Sequence, residues 1–115
     1  MDKPVRMTVQ WRVAPQESGP ITSAVHALMI LVRAEPGCLS CHLSTEMGDR
    51  AGLRYMEEWR NEVDLKRQLQ SDRFTRLAEL MERATEAPRI EFDIPGGIRG
   101  MEYAIEVRER NGESA

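Results

Sequence analysis

Between Val5 and Val13 apolar and polar residues alternate without a break: Val5, Met7, Val9, Trp11 and Val13 are separated by Arg6, Thr8, Gln10 and Arg12. A period of two sustained over this stretch is the signature of a strand with one buried face, so the chain must build a sheet that needs cover on one side. The cover follows directly. Ala14-Pro15 stops the alternation, and Gly19-Pro20 offers a tolerated cap and a proline for a first helical turn. Ile21, Val25, Leu28, Met29 and Val32 then form one stripe at helical spacing, which Pro36-Gly37 ends.

The remaining elements read in the same way. Cys38 to Glu46 is a second strand, Gly48 to Gly52 a turn cluster, and Leu53 to Arg60 a third strand, the two forming a hairpin. Asn61 is suited to cap a short helix carrying Val63, Leu65 and Leu69, and Ser71 a longer one whose Phe74, Leu77, Leu80, Met81 and Ala84 share a face. Ala87-Pro88 closes that region, and Ile90, Phe92 and Ile94 alternate as a fourth strand broken by Pro95-Gly96-Gly97. Met101, Tyr103, Ile105 and Val107 alternate again, which predicts a further, C-terminal strand, with residues 109–115 a flexible tail.

Strand, helix, strand, strand, helix, strand is the split βαβ order of α+β ferredoxin-like folds, here with one strand appended. At 115 residues the chain has room for a single domain, 1–115, with a core over about 5–108. The second sheet face mixes Arg54, Glu58, Glu102 and Glu106 with Met56 and Ala104. A dimer whose sheets face each other across a mixed interior accommodates both kinds of residue. Gly96, Gly97 and Gly100 open no predicted helix, so they are unlike a phosphate loop and fit a bend that lets the last strand cross to a partner.

Charge and composition remove several functions. Sixteen Lys and Arg against nineteen Asp and Glu leave a net charge of -3, the wrong sign for a nucleic-acid binder. The longest apolar run, Ala27 to Val32, falls far short of the roughly 20 residues that a spanning helix requires. Met1-Asp2-Lys3-Pro4 has no apolar segment behind it, so the expectation is a cytoplasmic protein with no membrane partner. Cys38 and Cys41 have CxxC spacing. On a regular strand, however, positions three apart face opposite sides roughly 10 Å apart, beyond disulfide reach, and no further ligands make a metal site.

Glu35-Pro36-Gly37-Cys38-Leu39-Ser40, then Tyr55-Met56-Glu57-Glu58-Trp59, then Leu69-Gln70-Ser71-Asp72-Arg73-Phe74, resemble the antibiotic biosynthesis monooxygenase family over most of residues 5 to 94. That resemblance implies a ferredoxin-like fold paired into a dimeric α+β barrel. It also implies a small-molecule substrate, either oxidised without a cofactor, as for quinols and anthrones, or isomerised. Many relatives carry histidines where this chain has Gln68 and Arg73, and haem-degrading relatives need an Asn near the position of Trp11. A haem role is therefore not expected, and neither metal nor cofactor is assigned.

The expected activity is cofactor-independent oxidation of a small hydroxylated aromatic or quinol by a homodimer. The alternative is a non-oxidative binding or stress-response module, or an isomerase with His42 or Glu57 as base. Such oxidation needs a dry pocket, a base and oriented polar groups. Trp59 and His42 are the catalytic candidates, and Trp11, Tyr55, Trp59, Arg73 and Phe74 the substrate-binding ones. Trp59 can stack on a ring and orient an oxygen through its N–H, and Tyr55 shares its strand parity. Both tryptophans also suit a plain core role. His42 has the pKa range of a base, but its parity groups it with Cys38, Ser40 and Ser44 on the less apolar side of its strand. Arg73 could bind an oxyanion or stand exposed at a helix start.

Overall fold

The computed structural model describes residues 3–114, with side chains to residue 110. The alternating segment forms β1 (Val5–Arg12), with Val5, Met7, Val9 and Trp11 buried on one side. Pro15–Glu17 makes one 3-10 turn into α1 (Ser18–Arg33), whose buried residues are the predicted stripe Ile21, Val25, Leu28, Met29 and Val32. The helix starts two residues before the expected Pro20, because a proline in the first turn lacks only an N–H that would be orphaned there.

Gly37 then turns the chain into β2 (Cys38–Glu46) with φ +88°. A Cβ here would lie 2.3 Å from Asp64 Oδ2, so glycine is required twice over, by conformation and by space. The following strand, β3 (Asp49–Trp59), is longer than expected. Most of the predicted turn cluster is strand, since Arg50 to Gly52 continue the ladder and only Met47-Gly48 turn. Asn61 and Ser71 cap α2 (Glu62–Leu69) and α3 (Asp72–Met81) by accepting from the Asp64 and Phe74 backbone N–H groups.

β4 (Arg89–Ile94) and β5 (Gly97–Arg99) complete an antiparallel sheet in the order β2-β3-β1-β4-β5. The fold is the expected α+β, ferredoxin-like one, with one correction at its C-terminus. Met101–Ser114 is a helix, α4, where an appended strand was expected, and it runs through 109–114. Its buried residues Tyr103, Ala104 and Val107 fall at helical spacing, and Glu102 reaches back to accept from the Gly100 N–H at 3.0 Å. The glycines therefore make the short β4–β5 hairpin and the approach to this helix, rather than a crossing strand.

α4 folds back onto the covered face. The Tyr103 ring lies 5.1 Å from that of Phe92, its hydroxyl donates to Glu62 at 2.6 Å, and Arg108 donates to the Leu69 carbonyl at 2.6 Å. Arg108 also reaches Thr75 Oγ1 at 2.9 Å and stands over the Phe74 ring. All four helices thus contribute to one core on one sheet face. The opposite face shows Arg6, Thr8, Gln10, His42, Ser44, Arg54, Met56, Glu58, Glu91 and Asp93, all exposed or only half-buried. No helix among the described residues is long and apolar enough to cross a membrane.

Candidate active site

Tyr55, Glu57 and Trp59 occupy alternate positions of β3, so all three side chains enter the covered face, at the end where α2 and α3 pack. Placing a carboxylate there is costly, because burial strips its hydration. Three donors compensate. Tyr55 OH donates to Glu57 Oε2 at 2.5 Å, Trp59 Nε1 to Oε1 at 2.9 Å, and Gln68 Nε2 to Oε2 at 3.3 Å. Glu57 is wholly buried, and Tyr55, Trp59 and Gln68 are almost as fully enclosed.

The network continues in both directions. Gln68 Oε1 accepts from Arg73 Nε at 2.9 Å, and Arg73 pairs with Glu35 at 2.6 Å. The Gln68 amide is thereby fixed, its NH2 on the carboxylate and its carbonyl on the guanidinium. On the far side the Cys41 thiol donates to the Tyr55 oxygen at 3.2 Å. One chain of contacts thus runs Cys41, Tyr55, Glu57, Gln68, Arg73, Glu35.

Electrostatically, burial dominates. It pushes the Glu57 carboxyl above its ordinary value, although Tyr55, Trp59, Gln68 and the Arg73 charge all favour the ionised form. Tyr55 is pushed strongly upward by burial and by Glu57, so its phenol stays protonated and remains a donor. A carboxyl raised by burial, yet ringed by donors that welcome its charge, is suited to take up a proton and to return it. Where the network reaches the surface, Glu35, Pro36, Trp59, Asp64, Arg67, Gln68 and Arg73 line a recess with only about 10 Å³ of free volume. The Arg73–Glu35 pair closes it.

Of the residues singled out from sequence, Tyr55, Trp59 and Arg73 belong to this assembly. Phe74 is buried in the first turn of α3, next to Arg73, and faces the core. Trp11 shares the covered face but pairs in register with Leu53, three alternate positions along β3 from Trp59, and its Nε1 is buried without a hydrogen-bond partner. His42 is not brought to the site: it pairs with Met56 and stands exposed on the opposite face. Glu35 and the fixed orientation of Gln68 were not legible from spacing, whereas the parity shared by Tyr55, Glu57 and Trp59 was enough to place Glu57 inside.

The cysteine spacing also needs correcting. A β-bulge between Cys38 and Ser40 leaves Leu39 without a partner: Cys38 pairs with Trp59, Ser40 with Glu58 and Cys41 with Glu57. The extra residue brings both cysteines to the covered face, where an unbroken strand would have split them. No group of three or more His, Cys, Asp or Glu side chains among the described residues is arranged to hold a metal ion.

Solved structures share this architecture. A conserved protein of Methanosarcina mazei superposes with a TM-score of 0.72 at 22% identity, over 79% of this chain and 91% of its own. A Pseudomonas aeruginosa protein gives 0.69 at 25% identity, over 80% and 93%. A structure described as an antibiotic biosynthesis monooxygenase gives 0.69 at 18% identity, over 76% and 94%. No match was found among curated proteins. The family model described as antibiotic biosynthesis monooxygenase matches residues 4–80, two-thirds of the chain and all of the Cys41–Arg73 network, and the chain belongs to that family.

Proposed function

We propose that the protein is a monooxygenase-like oxidoreductase acting on a small hydroxylated aromatic or quinol, with Glu57 as the proton acceptor and Trp59 as the wall on which the ring stacks. The observation that carries this reading is the wholly buried Glu57 carboxyl, raised by burial and held by Tyr55, Trp59 and Gln68. It takes the role that sequence assigned to His42, which lies across the sheet. A substrate hydroxyl or activated C–H gives its proton to Glu57, and the resulting electron-rich anion reduces dioxygen directly. For a quinol the products are quinone and hydrogen peroxide. For an anthrone they are the anthraquinone and water, one oxygen atom entering the carbon skeleton. Admission requires Arg73 to swing from Glu35, and its guanidinium then becomes free to hold the substrate's developing oxyanion.

The working form is proposed to be a cytoplasmic homodimer closed through the open sheet face. Ser44, Arg54, Gln10 and Arg89 make one basic row across four strands, and Ser40, Glu58, Arg6 and Asp93 a more acidic row four residues along. A two-fold axis running across the strands near Thr8 sets each row against its opposite in a second copy and covers the half-buried Met56. Light scattering that gives a monomer across micromolar concentrations would overturn this assembly.

Oxygen uptake with a panel of anthrones, naphthols and hydroquinones tests the chemistry. The expected outcome is turnover that survives chelation, falls about a hundredfold in Glu57→Gln, falls in Trp59→Phe, and is unchanged in His42→Ala. Retention of full activity in Glu57→Gln refutes the assignment of the base. A non-oxidative reading is favoured by one observation: Gln68 and Arg73 satisfy each other and Glu35, which suits binding without chemistry. Substrate conversion that persists unchanged under nitrogen, or binding with no oxygen uptake on any substrate in air, would select that reading.

A further inference from the structure

We infer that the substrate carries a carboxylate, which reaches the Glu57 site by taking the place of Glu35 on Arg73; the inference rests on the proposed role of that pair as the closure of the site. Three observations point to an anion rather than to a neutral ring. The first is how Arg73 is held. Its Nε donates to Gln68 Oε1 at 2.9 Å and its Nη2 meets Glu35 at 2.6 Å, with only 22% of its side chain exposed. A guanidinium so enclosed loses an ion pair when Glu35 leaves, and a neutral ligand returns nothing comparable. A second carboxylate does, through the same short, charge-assisted bond.

The second observation is how Glu35 is held. Its N–H donates to the Val32 carbonyl at 3.0 Å and its carbonyl accepts from the Cys38 N–H at 3.2 Å, so its backbone is fixed in the turn between α1 and β2. Pro36 and Gly37 stiffen the same turn, the first through its ring and the second through its φ of +88°. Only the side chain is left to move. It is 31% exposed and can turn out to water without shifting the strand behind it. The space it vacates is that of one carboxylate, which matters because the recess has only about 10 Å³ free while Glu35 stays in place. The third observation is the charge around the mouth. Asp64, almost wholly buried, already serves both Arg60 at 2.8 Å and Arg67 at 3.0 Å. With Glu35 turned away, three guanidiniums face that one carboxylate, and a bound anion restores the balance. Once the ligand's carboxylate lies on Nη2, the other terminal nitrogen, Nη1, is placed for an oxygen on the neighbouring ring carbon. A hydroxyl beside the carboxylate is therefore where the developing oxyanion is best held, and the ligand class is an aromatic acid with an adjacent hydroxyl.

Calorimetric titration of the full chain under nitrogen, where no oxidation competes, tests this with gentisate, a hydroquinone bearing a carboxylate beside one hydroxyl, and with gentisamide, its neutral counterpart. Gentisate should bind about tenfold more tightly or better. Glu35→Gln should tighten gentisate binding roughly fivefold, because the competing carboxylate is gone, with no such gain for the amide. Arg73→Gln should abolish the preference for the acid and Arg73→Lys should restore part of it, a rescue that a merely structural loss would not show. Equal affinity for acid and amide overturns the inference, as does the absence of gentisate binding, or gentisate binding that is unchanged or weakened in Glu35→Gln. Oxygen uptake in air separates this inference from the oxidative function. Gentisamide consumed as fast as gentisate overturns the carboxylate requirement and leaves the oxidation standing, whereas gentisate that binds through Arg73 without oxygen uptake supports the carboxylate requirement and counts against the oxidation.

Discussion

The two faces of one sheet handle charge in opposite ways. On the open face Arg6 pairs with Glu58 at 3.2 Å, with their side chains 50% and 29% exposed, so water shares the work of solvating both. On the covered face Glu57 is wholly buried and is held by three uncharged donors; Tyr55, Trp59 and Gln68 do what solvent does next door. Adjacent residues of β3 thus carry the same functional group in two environments. The difference teaches that a carboxylate's placement in the sheet, rather than its identity, sets whether water or the protein's own donors must solvate it.

Breaking the covered face should have the largest effect. Trp59→Ala removes a buried ring and one of the carboxyl's donors together, and should cost about 3–5 kcal/mol in urea unfolding. Gly37→Ala strikes the same end from the backbone, forcing a Cβ into Asp64 at a positive φ; it should cost about 1–3 kcal/mol by the same measurement. A cost below a few tenths in either variant would mean that this end is looser than its contacts indicate.

Acid sharpens the contrast, because a buried carboxyl and an ion-paired, partly exposed one should respond with opposite signs. Glu57 binds its proton more tightly folded than unfolded. Its contribution is therefore complete below the ordinary carboxylate value of about 4.3, and is lost as pH rises through the folded value. Asp49, which the Arg12 guanidinium holds below the usual range, contributes above the ordinary value, and that contribution is lost as pH falls through the folded one. Unfolding curves across the acid range should show wild type losing ground to Glu57→Gln, and gaining it on Asp49→Asn, as pH rises. Parallel curves would erase the distinction between the buried carboxyl and the ion-paired one. The smallest effect is expected at Glu58→Gln, within about 0.5 kcal/mol in monomeric, dilute protein.

What could be read from sequence followed from periodicity alone. The alternation in β1 and the stripe of α1 admit one reading each, and the parity of His42 set it apart from Trp59 before any coordinates. The C-terminal segment failed because Met101, Tyr103, Ile105 and Val107 satisfy a period of two while Tyr103, Ala104 and Val107 satisfy a helix. Only its packing against Phe92 and Glu62 decides between them. The bulge at Leu39 left no mark in the residue types, so CxxC spacing was measured on a strand that does not exist in regular form. The Glu57 site was half legible: the strand parity was there, but the donors Gln68 and Tyr55 acquire their meaning only when α2 closes over β3.

The grip of Arg108 on the Leu69 carbonyl also bears on how the molecule is made. The donor follows its acceptor by 39 residues, so on the ribosome the α2–α3 junction waits for it. At ordinary synthesis rates that wait is roughly 2–8 s. During that interval the Leu69 carbonyl has only water, and Phe92 and Phe74 lack the Tyr103 ring and the Arg108 guanidinium that later cover them. A nascent chain at this stage has Tyr55, Glu57 and Trp59 already synthesised but its core open at one flank, so the apolar surface of that flank stays exposed until α4 docks.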